Sequence, residues 1–164
     1  MSDTAALAIT LANYRDARDA ADVVALLDAY ARDPMGGGEP LAETSKARLA
    51  GDLAANPQAF SLIARIDGRA VGLANCFMGY STFAAAPLVN IHDLAVLADV
   101  RGKGVGKALL QAVEAEALKR GACKITLEVL SGNPARRLYA REGYGDYQLD
   151  PATGHALFWQ KRLT

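Results

Sequence analysis

The segment from Val96 to Leu110 most constrains how this chain can fold, because it reads as the end of a strand, a glycine-rich turn and the start of a helix. Gly102, Gly104 and Gly106 alternate with larger residues in this turn, and basic residues flank them. Glycine lets the backbone approach an anion closely, and a helix N-terminus offers unpaired N–H groups and a positive dipole end. The segment is therefore predicted to bind a phosphate or pyrophosphate group.

Two common phosphate-binding motifs do not fit these residues. A Walker A loop needs a glycine five positions before its Gly-Lys pair and Ser or Thr after it. The pair Gly106-Lys107 would require glycine where Arg101 stands, and Ala108 follows the pair. The dinucleotide fingerprint G-x-G-x-x-G also fails, because the third residue after Gly106 is Leu109. Both motifs are excluded.

Composition bounds the class of protein. With 164 residues, 51% of them hydrophobic, the chain is expected to form a single domain over residues 1–164. Lys plus Arg and Asp plus Glu number 18 each, so no overall field favours nucleic acid or an anionic membrane. No run approaches the roughly 20 apolar residues of a membrane span, and the N-terminus does not resemble a signal peptide. We therefore expect a cytoplasmic protein with no nucleic-acid or membrane partner.

The two cysteines do not suggest a metal or disulfide framework. Cys76 and Cys123 fall in apolar, strand-like runs and have no Cys-x-x-Cys spacing. We expect both to be reduced core thiols.

Hydrophobic periodicity predicts the order of strands and helices along the chain. Strands are predicted over residues 6–14, 59–66, 70–80, 88–97 and 123–130, and helices over 16–32, 43–55, 104–120 and from about 134 to Gly143. The helix between the last two of these strands predicts a parallel pair, and the Asp67-Gly68 turn predicts a hairpin. Residues 144–149 and 155–162 are predicted to form a terminal hairpin. The Gly36 to Gly38 loop fits either a lid or a linker.

Two motifs stand in the second half of the chain. The first is R-x-x-G-x-G, from Arg101 to Gly106, directly after a strand. The second opens a helix at Asn133 and continues as L-Y-x-x-x-G followed by an aromatic, from Leu138 to Tyr144. Together they resemble the motifs of the GNAT superfamily of acyl-CoA-dependent N-acetyltransferases, and the resemblance covers roughly residues 60 to 162. It implies a mixed α/β fold whose mostly antiparallel sheet contains one parallel pair splayed at the cofactor, flanked by about four helices.

The resemblance implies transfer of acetyl from acetyl-CoA to an amine, with no metal required. Such a reaction needs an amine as free base, donors for the developing oxyanion and an acid for the leaving thiolate. Tyr139 matches the family's general acid, although it could also simply pack on a helix face. The positions that match the family's cofactor-binding segments are Leu94, Ala95, Val96, Arg101, Gly102, Lys103, Gly104, Val105, Gly106, Lys107 and Asn133. Asn133 is equally well explained as a helix cap.

The sequence leaves the general base open between His92 and Asp93. His92 could accept a proton near neutral pH, whereas Asp93 could act through water or attract a cationic amine. Alternation along a strand predicts that the two side chains point to opposite faces, so only one would face the acceptor. Glu39 and Glu128 are weaker candidates.

The acceptor-side strands are similar to those of the diamine and thialysine acetyltransferase branch, over residues 77–83 and 91–96. His92 stands where that branch has an acid, which weakens attraction for a multiply charged ligand. We therefore expect a small primary amine or amino acid as acceptor. The alternatives are a protein lysine or N-terminal acetyltransferase and a non-catalytic acyl-CoA-binding regulatory module. The resemblance also implies a homodimer.

Overall fold

A computed structural model describes residues 6–163, which contain a five-stranded sheet in the order β1-β2-β3-β4-β5. The strands are β1 (Leu7–Leu11), β2 (Ala59–Ile66), β3 (Arg69–Ser81), β4 (Ala86–Val96) and β5 (Ile125–Leu127). The α-helices are α1 (Ala17–Arg32), α2 (Glu43–Ala55), α3 (Val105–Lys119) and α4 (Arg136–Arg141). Strands β1 to β4 pair antiparallel and β5 runs parallel to β4. The predicted mixed fold is confirmed.

Local sequence explains the first helix and the first hairpin. The Asp16 carboxylate accepts hydrogen bonds from the backbone N–H groups of Arg18 and Asp19, which caps the start of α1. Asp67 and Gly68 both have positive φ, 48° and 79°, as a tight two-residue hairpin turn between β2 and β3 requires.

The sheet buries a different apolar cluster on each face. One cluster packs β2, β3 and β4 against α3, with Leu109, Leu110 and Val113 at most 1% exposed. The other packs the same strands against α1 and α2, with Val23 and Ile63 completely buried. The two helical layers therefore hold the central strands from both sides and fix the position of β4.

The parallel pair is short, and this opens the sheet. Strand β5 pairs with β4 only from Val89 to Ile91, and the rest of β4 continues alone on that side. A β-bulge interrupts the β3–β4 ladder at this same level, where Asn75 pairs with Asp93 but Cys76 pairs with Ile91. Bulges bend a strand and increase its twist. The splayed pair that the family resemblance implies is present here.

The predicted terminal hairpin is wrong. Residues 145–163 contain no strand, and their regular structure is one 3₁₀ turn, Pro151–Thr153, begun by the Asp150 carboxylate accepting from the N–H of Ala152. A strand needs a partner for its backbone groups, and among the described residues none pairs with this segment.

The prediction for Cys123 is also wrong, while Cys76 behaves as expected. Cys123 is exposed because β5 begins only at Ile125, so the cysteine lies in the connection from α3. Cys76 is buried in the core, and burial raises its pKa to about 12. Among residues 6–163, no helix is long and apolar enough to cross a bilayer.

Candidate active site

A cavity of about 890 Å³ lies where β4 and β5 separate. Strand β4, the turn before α3, the first residues of α3, helix α4 and the end of α1 contribute to its wall. The predicted site residues that line it are His92, Leu94, Ala95, Val96, Arg101, Gly102, Gly104, Val105, Gly106, Lys107, Asn133 and Tyr139. Asp93 and Lys103 do not line it. The fold thus brings together residues from two distant motifs around one space.

The glycine-rich turn presents an uncapped helix N-terminus to this cavity. Gly102 and Gly104 have φ of 78° and 83°, a region that other residues rarely adopt. Gly104 is the N-cap of α3, has no side chain to satisfy the helix, and the first turn contains no acidic residue. Because the first helical bond is from Ala108 N–H to the Gly104 carbonyl, the N–H groups of residues 105–107 have no partner within the helix. This arrangement suits an anion such as pyrophosphate.

Gly106 allows α4 to lie close to this turn. A Cβ at Gly106 would be 3.0 Å from Leu138 Cδ2 and 3.8 Å from Val96 Cγ2. A larger residue would push α4 away from the glycine-rich turn. Since Tyr139 follows Leu138 on α4, this close contact helps to place the tyrosine at the cavity.

The open edge of β4 offers backbone groups to the cavity. Leu97 donates its N–H to the Val71 carbonyl on the β3 side. Successive residues of a strand direct their backbone groups to alternate edges, so those of Leu94 and Val96 point away from β3 and those of Ala95 point toward it. Beyond Ile91 no strand pairs with this edge in the described chain. Leu94 and Val96 can therefore bind an extended ligand through their backbone.

Arg101 connects the glycine-rich turn to the end of α1. Its Nε donates to the Val96 carbonyl at 3.0 Å, and its Nη2 donates to Asp33 Oδ2 at 2.7 Å. The N–H of Met35 and then the Arg101 guanidinium hold the pKa of Asp33 below its usual value. Arg101 thus stabilises both the strand end and the 3₁₀ turn Pro34–Gly36 at the edge of the cavity. The Gly36 to Gly38 segment follows directly.

Tyr139 projects from α4 with only 9% of its surface exposed. Burial, followed by the proximity of Tyr30, raises the pKa of Tyr139. Its ring makes an edge contact with Tyr144 at 6.2 Å between centroids. Tyr139 lines the cavity. Because its pKa is raised, the hydroxyl is protonated near neutral pH and can donate a proton.

The prediction that His92 and Asp93 point to opposite faces is wrong. The ring of His92 contacts Phe77, with centroids 5.6 Å apart, and Asp93 Oδ2 accepts from Asn75 Nδ2 at 3.0 Å. Phe77 and Asn75 are two residues apart on β3 and share a face, so His92 and Asp93 lie on that same face. The bulge supplies the extra residue that breaks the alternation.

Asn133 makes a capping bond of its own. Its Oδ1 accepts from the N–H of Ala135 at 2.9 Å. Helix α4 begins at Arg136, two residues after the predicted Pro134, because residues 131–135 form turns first. The side chain therefore has a structural role, and the residue also lines the cavity.

Sequence reasoning missed part of the wall. Tyr30, Asp33 and Met35 at the end of α1, and Arg141 on α4, also line the cavity. Tyr30 to Met35 lie far along the chain from the two motifs, and the Gly36 to Gly38 loop beside them was the available signal. Glu128 lines the cavity, whereas Glu39 does not.

The model of the acetyltransferase (GNAT) family matches residues 23–144. The chain is 37% identical over 83 residues to an uncharacterised N-acetyltransferase of Archaeoglobus fulgidus, covering 49% of this chain and 56% of that protein. The chain thus spans about half the length of this relative.

Solved structures show the same fold. A ribosomal-protein-alanine N-acetyltransferase from Brucella melitensis matches with a TM-score of 0.66 and 25% identity, over 88% of this chain and 99% of that one. The aminoglycoside N-acetyltransferase AAC(6')-Iy, solved with CoA, matches with a TM-score of 0.76 and 19% identity, over 99% of each chain.

Proposed function

The chain belongs to the acetyltransferase (GNAT) family, and we propose that it transfers the acetyl group of acetyl-CoA to the amine of a small molecule. One observation carries the proposal. The uncapped N-terminus of α3, the open edge of β4 and the side of α4 that carries Tyr139 all contribute to the wall of one cavity. The helix N-terminus can bind an anion, the strand edge can bind an extended chain through its backbone groups, and Tyr139 can donate a proton. Transfer from an acyl-CoA thioester needs all three.

In this proposal the donor lies between the two motifs. The turn from Gly102 to Lys107 holds the pyrophosphate, and Arg101 stabilises that turn through its bonds to Val96 and Asp33. Asn133 contacts the cofactor from the turn before α4. The pantetheine arm binds to the backbone of Leu94 and Val96. The named complex of AAC(6')-Iy with CoA supports this donor, because that enzyme has the same fold.

The proposed acetyl transfer takes place beside the open edge of β4. The amine nitrogen attacks the thioester carbonyl, the N–C bond forms and the C–S bond breaks. A backbone N–H of β4 stabilises the developing oxyanion, and Tyr139 gives its proton to the departing thiolate. The ammonium proton leaves to His92, or to water ordered by Asp93. The raised pKa of Tyr139 keeps it protonated until this step.

A small cationic amine is the acceptor we favour. Asp93 is half-buried and forms no ion pair with any Lys or Arg among residues 6–163. A cationic acceptor would provide the missing charge, and the named aminoglycoside substrate of a neighbour is of this kind. A peptide amine is the second candidate, favoured by the ribosomal-protein-alanine acetyltransferase neighbour.

The test is acetyl-CoA-dependent thiol release with a panel of amines: polyamines, lysine analogues, aminoglycosides and a lysine peptide, with a control lacking acceptor. We expect release with one class of small amine. Release only with the peptide would replace the small-molecule proposal. Binding of acetyl-CoA by calorimetry with no release from any amine would instead support a non-catalytic acyl-CoA-binding module.

Tyr139→Phe tests the acid directly. The substitution keeps the buried ring and removes the proton donor, so turnover should fall about 100-fold or more while the Kd for acetyl-CoA stays within about twofold. Tyr144→Phe is the matched control, because it removes a hydroxyl from the neighbouring ring, which does not line the cavity. Equal turnover in both variants would assign Tyr139 a purely structural role.

We also propose that the protein is a homodimer joined through its C-terminal segment. Six large apolar residues between positions 147 and 163 are 61% to 89% exposed: Tyr147, Leu149, Leu157, Phe158, Trp159 and Leu163. Trp159 is the only tryptophan of the chain, so its fluorescence reports on this segment. When the dimer dissociates on dilution, Trp159 becomes exposed to water and its emission should shift to longer wavelength, while light scattering should show the mass falling by half. Phe158→Ser should favour the monomer, whereas Phe83→Ser, at a loop residue that is 98% exposed, should not. The cytoplasmic location stays a prediction.

A further inference from the structure

A row of polar side chains crosses the largely apolar face under α1 and α2. Ser61 and Asn75 are only 1% and 3% exposed, and the cluster around them is made of residues such as Ile63 and Leu73. Ser61 pairs with Asn75 across β2 and β3, and Asn75 pairs with Asp93 across β3 and β4. Burying polar groups in an apolar layer is costly unless each finds a partner.

Each member of the row does have a partner. The Tyr14 hydroxyl lies 2.7 Å from Ser61 Oγ, Ser61 Oγ lies 2.6 Å from Asn75 Oδ1, and Asn75 Nδ2 lies 3.0 Å from Asp93 Oδ2. The row therefore runs unbroken from the loop before α1 to the bulge in β4, over three strands.

Hydrogen-bond chemistry fixes the direction of this chain. An amide oxygen only accepts, so Ser61 must donate to Asn75, and Tyr14 must then donate to Ser61. The remaining amide N–H donates to Asp93. Turning the Asn75 amide over would place its oxygen against the carboxylate, which only a protonated Asp93 could tolerate. Every donor in the row therefore points toward the Asp93 carboxyl group.

No Lys or Arg among residues 6–163 forms an ion pair with Asp93. Burial, and then the negative charges of Asp93 and Asp33, raise the pKa of Tyr30. Burial raises the pKa of Cys76 to about 12; Arg120 acts to lower this pKa and Asp93 acts to raise it. Both groups are neutral near pH 7. His92 is the one titratable neighbour on β4 that can become a cation.

We propose that Tyr14, Ser61 and Asn75 are positioning residues that hold the Asp93 carboxylate charged and oriented beside His92, which lines the cavity, and thereby select cationic amines. This inference rests on the proposed acetyl transfer. It adds three residues, none of which lines the cavity, to the determinants of acceptor choice.

The first test is independent of activity. Carbon-13 NMR follows the carboxyl carbon of Asp93, assigned by its loss in Asp93→Asn, as a function of pH in the full-length protein. Loss of the last donor in Asn75→Leu should move the titration midpoint up by about one pH unit, and Tyr14→Phe should move it by less. Ile63→Val, a change on the same face outside the row, should leave the midpoint unchanged.

Repeating the titration in His92→Gln removes the titratable ring that lies beside Asp93 on β4. The shifts caused by Asn75→Leu and Tyr14→Phe should persist in that background. Midpoints that match the wild type in both variants overturn the proposal. Tyr14→Phe keeps the test decisive if Asn75→Leu does not fold, because only one oxygen atom is lost.

The second test uses kinetics. In Ser61→Ala, kcat/KM for the amine should begin to fall at a higher pH than in the wild type as the solution is acidified, and KM for acetyl-CoA should be unchanged. Ser61→Thr keeps a hydroxyl and should restore the wild-type pH profile. Equal effects on both substrates would mean a merely structural row and overturn the proposal. If the wild type acetylates no amine but the variants show the expected NMR shifts, the proposed function is refuted, whereas the effect of the hydrogen bonds on Asp93 is supported.

Discussion

Gly104→Asp is the sharpest perturbation of the glycine-rich turn. The substitution adds a carboxylate at the N-cap of α3, where the free N–H groups of residues 105–107 are proposed to bind the pyrophosphate. Space is available, because no atom lies within 4 Å of a Cβ built at this position. The substitution therefore acts through charge and backbone strain and not through a clash.

The charge effect can be estimated from Coulomb's law. Two unit charges about 5 Å apart repel by roughly 1 to 3 kcal/mol as the effective dielectric constant falls from about 80 to about 20. That energy corresponds to a loss of affinity for acetyl-CoA of about 5- to 150-fold. The loss should shrink as salt is raised, because the site is open to solvent.

Backbone strain must be separated from charge. Gly104 has φ of 83°, so any side chain there costs about 1 to 2 kcal/mol of folding free energy. Gly104→Ala carries this strain without charge. Gly121→Asp carries both strain and charge, since Gly121 has φ of 70° and open space, but it lies at the other end of α3.

Calorimetric titration with acetyl-CoA, on variants shown to be folded, measures the outcome. We expect the Kd to rise strongly in Gly104→Asp, modestly in Gly104→Ala and not at all in Gly121→Asp. An unchanged Kd in Gly104→Asp would refute the assignment of the turn to the pyrophosphate. A similar rise in both aspartate variants would mean that general destabilisation, not local charge, weakens binding.

Two further predictions concern stability. Burial tends to raise the pKa of Asp19, but hydrogen bonds from the Asn13 N–H and from Arg65 outweigh it, so the pKa is lowered. The free energy of unfolding in urea should therefore be constant above about pH 5 and fall below about pH 4. It should fall less steeply with decreasing pH in Asp19→Asn, and equal pH dependence in the two proteins would contradict this. Gly36→Ala should destabilise by about 1 to 3 kcal/mol, because its Cβ would lie 1.9 Å from the Tyr30 carbonyl oxygen, whereas Gly51→Ala, in open space on α2, should stabilise slightly.

The features that local sequence encodes were predictable. The turn from Gly102 to Gly106 and the helix after it follow from glycine placement and a 3.6-residue period, and α3 has nearly the predicted bounds. The position of Tyr139 at the same cavity followed from the family resemblance and not from its own surroundings. Both motifs are contiguous stretches, which is why they could be found without tertiary structure.

The features that depend on a partner were not predictable. The C-terminal segment has residues suited to strands, but a strand forms only where another strand satisfies its backbone, and that is a tertiary property. Cys123 shows the same limit on a smaller scale, because its exposure depends on where pairing with β4 begins. Asp33 could not be assigned to the site, since its contact with Arg101 joins residues 68 positions apart.

The bulge in β4 explains why the hardest part of the site to predict is also the most informative. A single extra residue, between Ile91 and Asp93, coincides with the end of β5 pairing and so accompanies the opening of the sheet. The same residue breaks the two-residue period and places His92 and Asp93 on one face. Strict alternation would have placed only one of these side chains on that face. Because the bulge places both there, an imidazole ring and a carboxylate lie side by side where the opened strand begins, which is where the proposed reaction requires an amine to lose its proton before it attacks the thioester.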